Sequence, residues 1–291
     1  MTPGLLVRGV FRNEALRFAF ADTADLCNQG ILIHDCDPAS GEVLCDLLTA
    51  SALTAVLLDE GEKYSILVNY KGGIAGKWLA DADSLCHVRA LPGNTRLSGA
   101  GDADAVFGTE PASIRVMKFK EGQVLNSGEV EVSMASPAQD LAMFFNLSDQ
   151  VETEIACTRL FAPDPEKPVR FAAGVMLQAL PDCDLEAFAK VREKFAAPEF
   201  QNALADMQLP FELKLRELAS LAGLDSSPEN FVYEGAGSPV YHCGCSVDTM
   251  KRALLTLGKD GVEELMKERG EARIQCRFCR KDYTFKPGDI L

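Results

Sequence analysis

Long apolar runs are missing from this 291-residue chain, and even Leu47–Leu58 is interrupted by Thr49, Ser51 and Thr54. A membrane-spanning helix needs about 20 consecutive apolar residues, so none is expected and no membrane partner is inferred. The opening Met1-Thr-Pro-Gly-Leu-Leu-Val-Arg-Gly-Val10 lacks the charged head and apolar run of a secretory leader. A soluble, cytoplasmic protein is expected. Positive charge is also scarce. There are 29 Lys+Arg against 43 Asp+Glu, a net charge of -14, which disfavours a polyanion and argues against a nucleic-acid partner. The deficit is uneven: residues 243–291 carry ten basic and eight acidic side chains, which leaves -16 on residues 1–242. Ten cysteines are too few for a disulfide-built secreted scaffold of this length. In a reducing compartment, clustered cysteines are metal ligands or redox groups. No internal repeat, low-complexity tract or His-x-Glu occurs, and without His-x-Glu a zinc deaminase is excluded.

The composition, 47% apolar and 25% charged, suits a folded chain with one large domain and one or two small ones. Residues 1–182 read as an α+β core domain of mixed sheet and helix. A long helical pattern over Ala39–Leu58, with Ser40 as its N-cap, is apolar on most sides and should be buried against a sheet. Tyr64–Tyr70, Ile114–Lys120 and Val169–Leu177 read as strands, Ser136–Phe145 as a helix, and Ala162–Pro168 as a hairpin connection.

Residues 183–240 read as a helical linker. Leu185, Phe188, Val191 and Phe195 fall at helical spacing, as do Phe211, Leu215, Leu218 and Ala222, while Pro198 and Pro210 suit helix starts. Such short helices have too few apolar residues for a core and must lie on something else. Ser226–Asn230 and Glu234–Pro239 read as turns.

Residues 241–291 read as a small module built on Cys243-Gly-Cys245 and Cys276-Arg-Phe-Cys279. Two closely spaced cysteine pairs can offer one Zn²⁺ four tetrahedral sulfurs, and Gly244 permits the tighter C-x-C turn. Helices over Thr249–Leu257 and Gly261–Glu268, separated by Gly258, lead into a hairpin over Arg273–Phe285 that holds the second pair. So small a fragment rarely folds on its own core, and zinc binding contributes about 10–16 kcal/mol to such modules. Arg273, Arg277, Arg280 and Lys281 could offset the charge of four thiolates. Oxidation of either pair would remove two ligands, because sulfurs on one zinc sit about 3.8 Å apart and a disulfide needs about 2.05 Å. On spacing alone, a permanently reduced structural zinc site is the simpler reading.

Tyr241-His-Cys-Gly-Cys-Ser246, Leu254–Gly258, Glu264-Leu265 and Ile274–Cys279 with Tyr283-Thr-Phe285 closely resemble the C-terminal zinc module of the heat shock protein 33 family of redox-regulated chaperones. Leu48–Leu58, Ala80–Asp83, Asp140–Phe145 with Ser148-Asp-Gln150, and Ala173–Pro181 extend the resemblance over nearly the whole chain. The resemblance implies an ATP-independent holdase rather than an enzyme, inactive when reduced with one Zn²⁺ per chain on Cys243, Cys245, Cys276 and Cys279. It implies activation by oxidation to Cys243–Cys245 and Cys276–Cys279 disulfides, zinc release, unfolding of the linker, binding of unfolding client proteins, and a homodimer in the oxidised state. Departures are Cys86, where the family usually has glycine, and Ala90–Gly93, which does not follow the usual pattern. Cys27, Cys36, Cys45, Cys86, Cys157 and Cys183 are extra thiols, most of them expected as small buried hydrophobes, with Cys183 at the linker start the exception.

Two other functions fit the thiols: an interaction module with a purely structural zinc, or a thiol oxidoreductase using Cys276–Cys279. The tail placement and the second cysteine pair argue against the oxidoreductase. Gly72-Gly-Ile-Ala-Gly-Lys-Trp78 superficially resembles a phosphate loop but is one residue short and ends in Trp78 instead of Ser/Thr. His34-Asp-Cys-Asp37 is read as a surface or partly buried loop, and Cys86-His87 has no third group to orient it. His242 is superfluous beside four cysteines.

Overall fold

The computed structural model describes residues 4–267 and 270–290. The start of the opening stretch, Glu268 at the end of the second expected tail helix, and Leu291 lie outside the described residues. The chain forms two compact units, Met1–Tyr241 and His242–Leu291, and the linker residues belong to the first by their packing.

In chain order the larger unit opens with β1 (Leu6–Phe11), β2 (Leu16–Asp22), α1 (Ala24–His34) and α2 (Pro38–Thr54). β3 (Glu62–Asn69), β4 (Lys77–Asp83), β5 (His87–Leu91), α3 (Ala103–Phe107), β6 (Ala112–Lys120) and β7 (Gln123–Val132) follow. Next come α4 (Pro137–Phe144), β8 (Thr153–Phe161), β9 (Val169–Ala179), α5 (Leu185–Phe195), α6 (Pro198–Ala205), α7 (Phe211–Ala222), β10 (Phe231–Gly237) and β11 (Val240–Tyr241). The smaller unit holds α8 (Val247–Leu255), α9 (Gly258–Lys267), β12 (Ala272–Gln275), β13 (Asp282–Phe285) and α10 (Pro287–Ile290).

This is an α+β fold. One sheet has the order β10-β1-β2-β9-β8 and the other β11-β5-β4-β3-β6-β7. α2 packs against strands of both, and its Leu44, Leu47, Leu48 and Leu53 are fully buried. Together with its following 3-10 turn, this helix (Pro38–Leu57) is long and apolar enough to cross a membrane by length and composition, yet 78% of its most apolar 18 residues are buried inside the protein. It is a core helix. The first sheet is covered on both faces, because strand side chains alternate. Ala19, Ala21, Ala172 and Met176 face α2, while Phe18, Phe20, Phe171, Ala173, Val175 and Leu177 face α5–α7. Gly174 admits α2, since a Cβ there would lie 2.6 Å from the Thr49 methyl.

The linker helices bury Phe188, Phe195, Phe200, Leu204, Leu215 and Leu218 on that outer face. At about 1.5–3 kcal/mol for each fully buried side chain, this contact is what holds three short helices in place. Arg192 of α5 adds ion pairs to Glu152 and, at 3.4 Å, to Glu154.

Three local expectations are corrected. The α2 N-cap is Asp37, whose carboxylate accepts the Ser40 N–H at 2.8 Å, so Ser40 lies inside the helix. Glu234–Gly237 is not a turn but part of β10, because pairing with β1 supplies the hydrogen bonds that its glycines alone did not forecast. Gly258 opens α9 instead of separating two helices. Of the six further thiols, Cys27, Cys45 and Cys86 are buried and Cys36, Cys157 and Cys183 half-buried, with Cys27 and Cys45 in contact. Cys86, with φ +63°, occupies the left-handed region that favours glycine.

Candidate metal centre

The second cysteine pair sits in the turn between β12 and β13. Four register pairs from Ala272↔Phe285 to Gln275↔Asp282 fix the hairpin. The Cys276 N–H donates to the Lys281 carbonyl at 2.9 Å and the Arg280 N–H to the Cys276 carbonyl at 2.8 Å, closing a knuckle around the sulfurs. Arg280 takes φ +58° to complete it. The first pair lies on extended chain before α8, whose N-cap Ser246 accepts the Thr249 N–H at 3.1 Å.

The sulfurs of Cys243, Cys245, Cys276 and Cys279 all lie within 4.8 Å of one another. Cys243 and Cys276 are 3.7 Å apart and Cys245 and Cys279 3.4 Å apart. This is close to the separation of about 3.8 Å set by Zn–S bonds of about 2.3 Å in a tetrahedron. Four thiols at one point, with Cys276 buried, suit a soft or borderline metal ion. The surrounding core is small: Leu254, Val262, Met266, Ala272, Tyr283 and Phe285.

The sulfurs are electrostatically unequal. Burial raises the Cys245 thiol, but hydrogen bonds from Tyr283 and its thiol neighbours outweigh that and hold it down to about 7. Burial and the neighbouring thiols push Cys279 up to about 12, against a backbone hydrogen bond from Lys281. At neutral pH this favours thiolate at Cys245 over thiolate at Cys279.

Of the basic residues expected to balance the thiolates, Arg273 is turned to Glu271 at 2.7 Å, and the Lys281 ammonium lies 5.4 Å over the Tyr283 ring. His242 is exposed and not one of the clustered ligands. Tyr283 is the site residue that ligand-spacing logic passed over. Its signals were its place two residues into the strand that closes the cysteine turn and its presence in the Tyr283-Thr-Phe285 segment of the family resemblance.

The remaining candidates stay apart. His34 ends α1, is buried, and contacts the Ala90 carbonyl and the Tyr241 hydroxyl at 2.9 and 3.1 Å. The Cys86 sulfur faces the Ala236 carbonyl, while His87 turns to Asp83 at 3.1 Å, so they do not form a nucleophile pair. Cys276 and Cys279 lie in a strand-to-strand knuckle, whereas a thioredoxin-like pair opens a helix.

The family model described as Hsp33 protein matches residues 4–286. The chain belongs to the Hsp33 family. It is 26% identical over 313 residues to the 33 kDa chaperonin of Clostridium perfringens strain SM101, covering 98% of this chain and 89% of that one. With the 33 kDa chaperonin of Clostridium botulinum strain Loch Maree it shares 26% over 310 residues, covering 98% and 96%. Its fold is similar to the crystal structure of the 33 kDa chaperonin (heat shock protein 33 homolog) from Thermotoga maritima, with a TM-score of 0.82 at 20% identity and coverage of 100% and 97%. Membership in Hsp33 thus places this chain in a chaperone family, with a four-cysteine cluster able to hold a metal ion.

Proposed function

We propose that this protein is a redox-regulated, ATP-independent holdase and not an enzyme, inactive when reduced and active in binding unfolding proteins after oxidation. The observation that carries this reading is the convergence of Cys243, Cys245, Cys276 and Cys279 at the centre of a tail with a small core. These four residues would hold one Zn²⁺ per chain, which when bound supplies the cross-link that so small a fold needs.

Peroxide takes two electrons from a thiol pair. From two zinc-bound thiolates, the O–O bond breaks, an S–S bond forms, and the two oxygens leave as hydroxides that solvent protonates to two waters. In the proposed switch Cys243 pairs with Cys245 and Cys276 with Cys279. A disulfide at about 2.05 Å leaves neither pair able to act as two separate zinc ligands. The tail then loses its cross-link and unfolds. Under combined heat and oxidant stress the linker within residues 183–240 leaves the sheet. That uncovers Phe18, Phe20, Phe171, Val175 and Leu177, a contiguous apolar face suited to the exposed apolar segments of an unfolding client.

Oxidised chains are expected to form a homodimer, and the protein to act in the cytoplasm. Light scattering from a heat-aggregating client tests the reading. The peroxide-treated protein should suppress scattering and the reduced zinc-loaded protein should not. Oxidation that removes zinc without any gain in suppression would sink it and favour a structural zinc module.

A further inference from the structure

The linker helices leave the first sheet and return to it at one place, the turn between β1 and β2. At the outgoing end, the Leu180 N–H donates to the Ala15 carbonyl at 2.9 Å. At the returning end stands Asn230, which is 1% exposed. Its side-chain oxygen accepts the Asn13 N–H at 2.7 Å, and its amide donates to the Glu14 carboxylate at 2.7 Å and the Asp225 carbonyl at 2.8 Å. Its carbonyl accepts the Arg12 N–H at 3.1 Å. Arg12–Ala15 thus grips both ends of the excursion.

Immediately after Asn230, Phe231 stacks on Phe11 with centroids 4.3 Å apart and meets Phe18 edge-on at 5.3 Å. β10 then pairs along all of β1, from Phe11↔Phe231 to Leu6↔Gly237. The chain next crosses to the second sheet, where the Val240 N–H donates to the Cys86 carbonyl at 3.1 Å and the Tyr241 hydroxyl to the Ala90 carbonyl at 3.0 Å. Residues 230–241 therefore staple the edges of both sheets. Their anchors are the strands, the hairpin turn and α1, not the linker helices α5–α7.

We infer that Asn230 is a clasp that ends the releasable segment, so that residues 181–229 come away as a loop closed at both ends while β10 and β11 stay docked. This rests on the proposed release of the linker and narrows its extent. β9 and β10 are three strand spacings apart, about 14 Å, whereas a free coil of this length would hold its ends roughly 40 Å apart. The freed loop is thereby kept beside the sheet face it uncovered, where it and the sheet can hold the same client at high effective concentration. The clasp also keeps β1 paired. An activated chaperone with an open β1 edge would present a template for edge-to-edge aggregation.

Hydrogen exchange on the full chain tests this in two ways. In reduced, zinc-loaded protein, Asn230→Ala should speed exchange over residues 231–237 by about tenfold or more, with residues 62–69 unchanged. Asn230→Asp, which retains an acceptor for Asn13 but sets a buried carboxylate against the Glu14 carboxylate and the Asp225 carbonyl, should speed exchange at least as much as Ala. Wild-type exchange over 231–237 in both variants overturns the clasp. In wild-type protein treated with peroxide at heat-stress temperature, protection should vanish over 185–224 and persist over 231–237. Simultaneous loss over both stretches overturns the clasp as well, whereas protection retained over 185–224 sinks the proposed activation itself.

Discussion

The phenolic oxygen of Tyr283 lies 3.1 Å from the Cys245 sulfur and 3.2 Å from the Cys245 carbonyl oxygen. A thiolate carries no proton, so when Cys245 is ionised the hydroxyl is the donor. Hydrogen bonds of this kind fix a metal ligand and moderate its charge, and losing one costs about 10–100-fold in metal affinity. Tyr283→Phe is expected to lose zinc to a chromophoric chelator at correspondingly lower chelator concentration. Unchanged affinity would mean that the hydroxyl serves only the carbonyl.

Cys276 is the most buried of the four sulfur residues, at 4% exposure, and belongs to the small core of the tail. Cys276→Ser should abolish tight zinc binding and remove exchange protection over residues 247–285, because the remaining apolar contacts are too few to fold the tail. Metal analysis and hydrogen exchange read both effects. A folded, metal-saturated variant would contradict the assignment of Cys276 as a ligand.

The α7 residue Lys214 is buried under the linker, its ammonium donating to the Leu204 carbonyl at 3.3 Å and lying 4.7 Å over the Phe171 ring. Burial lowers its pKa, opposed by Asp206 and Asp22. The charged form is thus less stable in the docked state than in the unfolded one, a cost present at neutral pH and relieved as pH rises through the folded pKa. Lys214→Met keeps an unbranched chain one atom shorter and removes the charge. The helices should be stabilised by about 1 kcal/mol, visible as slower exchange over 185–224 and a higher peroxide or temperature threshold for activation. A lower threshold would show that the Leu204 bond outweighs the desolvation.

Asp140 in α4 is fully buried, accepting the Tyr70 O–H at 2.9 Å and the Met134 N–H at 3.1 Å. Burial raises its carboxyl to about 6 from 3.8, against those hydrogen bonds. The folded chain therefore binds this proton more tightly than the unfolded chain. Asp140 costs stability above pH 6, and the cost fades as pH falls toward 4. Asp140→Asn cannot ionise, so its stability relative to wild type should drop on going from pH 7 to pH 4.5, by on the order of 2 kcal/mol. Urea midpoints across that range check the sign, and a difference independent of pH would remove Asp140 from the balance.

The four-cysteine cluster was legible because metal chemistry demands a residue type and a spacing that Cys243-Gly-Cys245 and Cys276-Arg-Phe-Cys279 display openly. The linker helices were legible from Phe188, Val191 and Phe195 at helical spacing, since each needs only one covered face. β10 was not. Its Glu234-Gly-Ala-Gly237 has turn-like composition, and only the long-range pairing with β1 makes it a strand. Asn230 and Tyr283 escaped for the same reason, because their roles depend on partners 217 and 38 residues away.

The extra thiols should stay reduced while the tail oxidises. Thiolate, not thiol, reacts with peroxide, so a thiol in an environment hostile to negative charge is slow. Cys45 is raised well above the ordinary value by its hydrogen bond with Cys27 and by burial, and Cys157 well above it by burial. Burial and the Asp83 carboxylate push Cys86 to about 11, and burial with Asp184 raises Cys183, the thiol that sequence position alone marked as the exception. Cys27 is buried 3.9 Å from the Thr23 and Thr49 hydroxyls and the Cys45 carbonyl. Limited peroxide, then alkylation in denaturant and peptide mass spectrometry, should find oxidised sulfur at Cys243, Cys245, Cys276 and Cys279 and alkylated thiols at Cys45, Cys86, Cys157 and Cys183. The linkage between these positions and stress runs through unfolding: only once the helices are off the sheet should Cys183 become reactive. A Cys27–Cys45 disulfide, or oxidised Cys183 in chains that still retain metal, would show that burial does not protect these sulfurs.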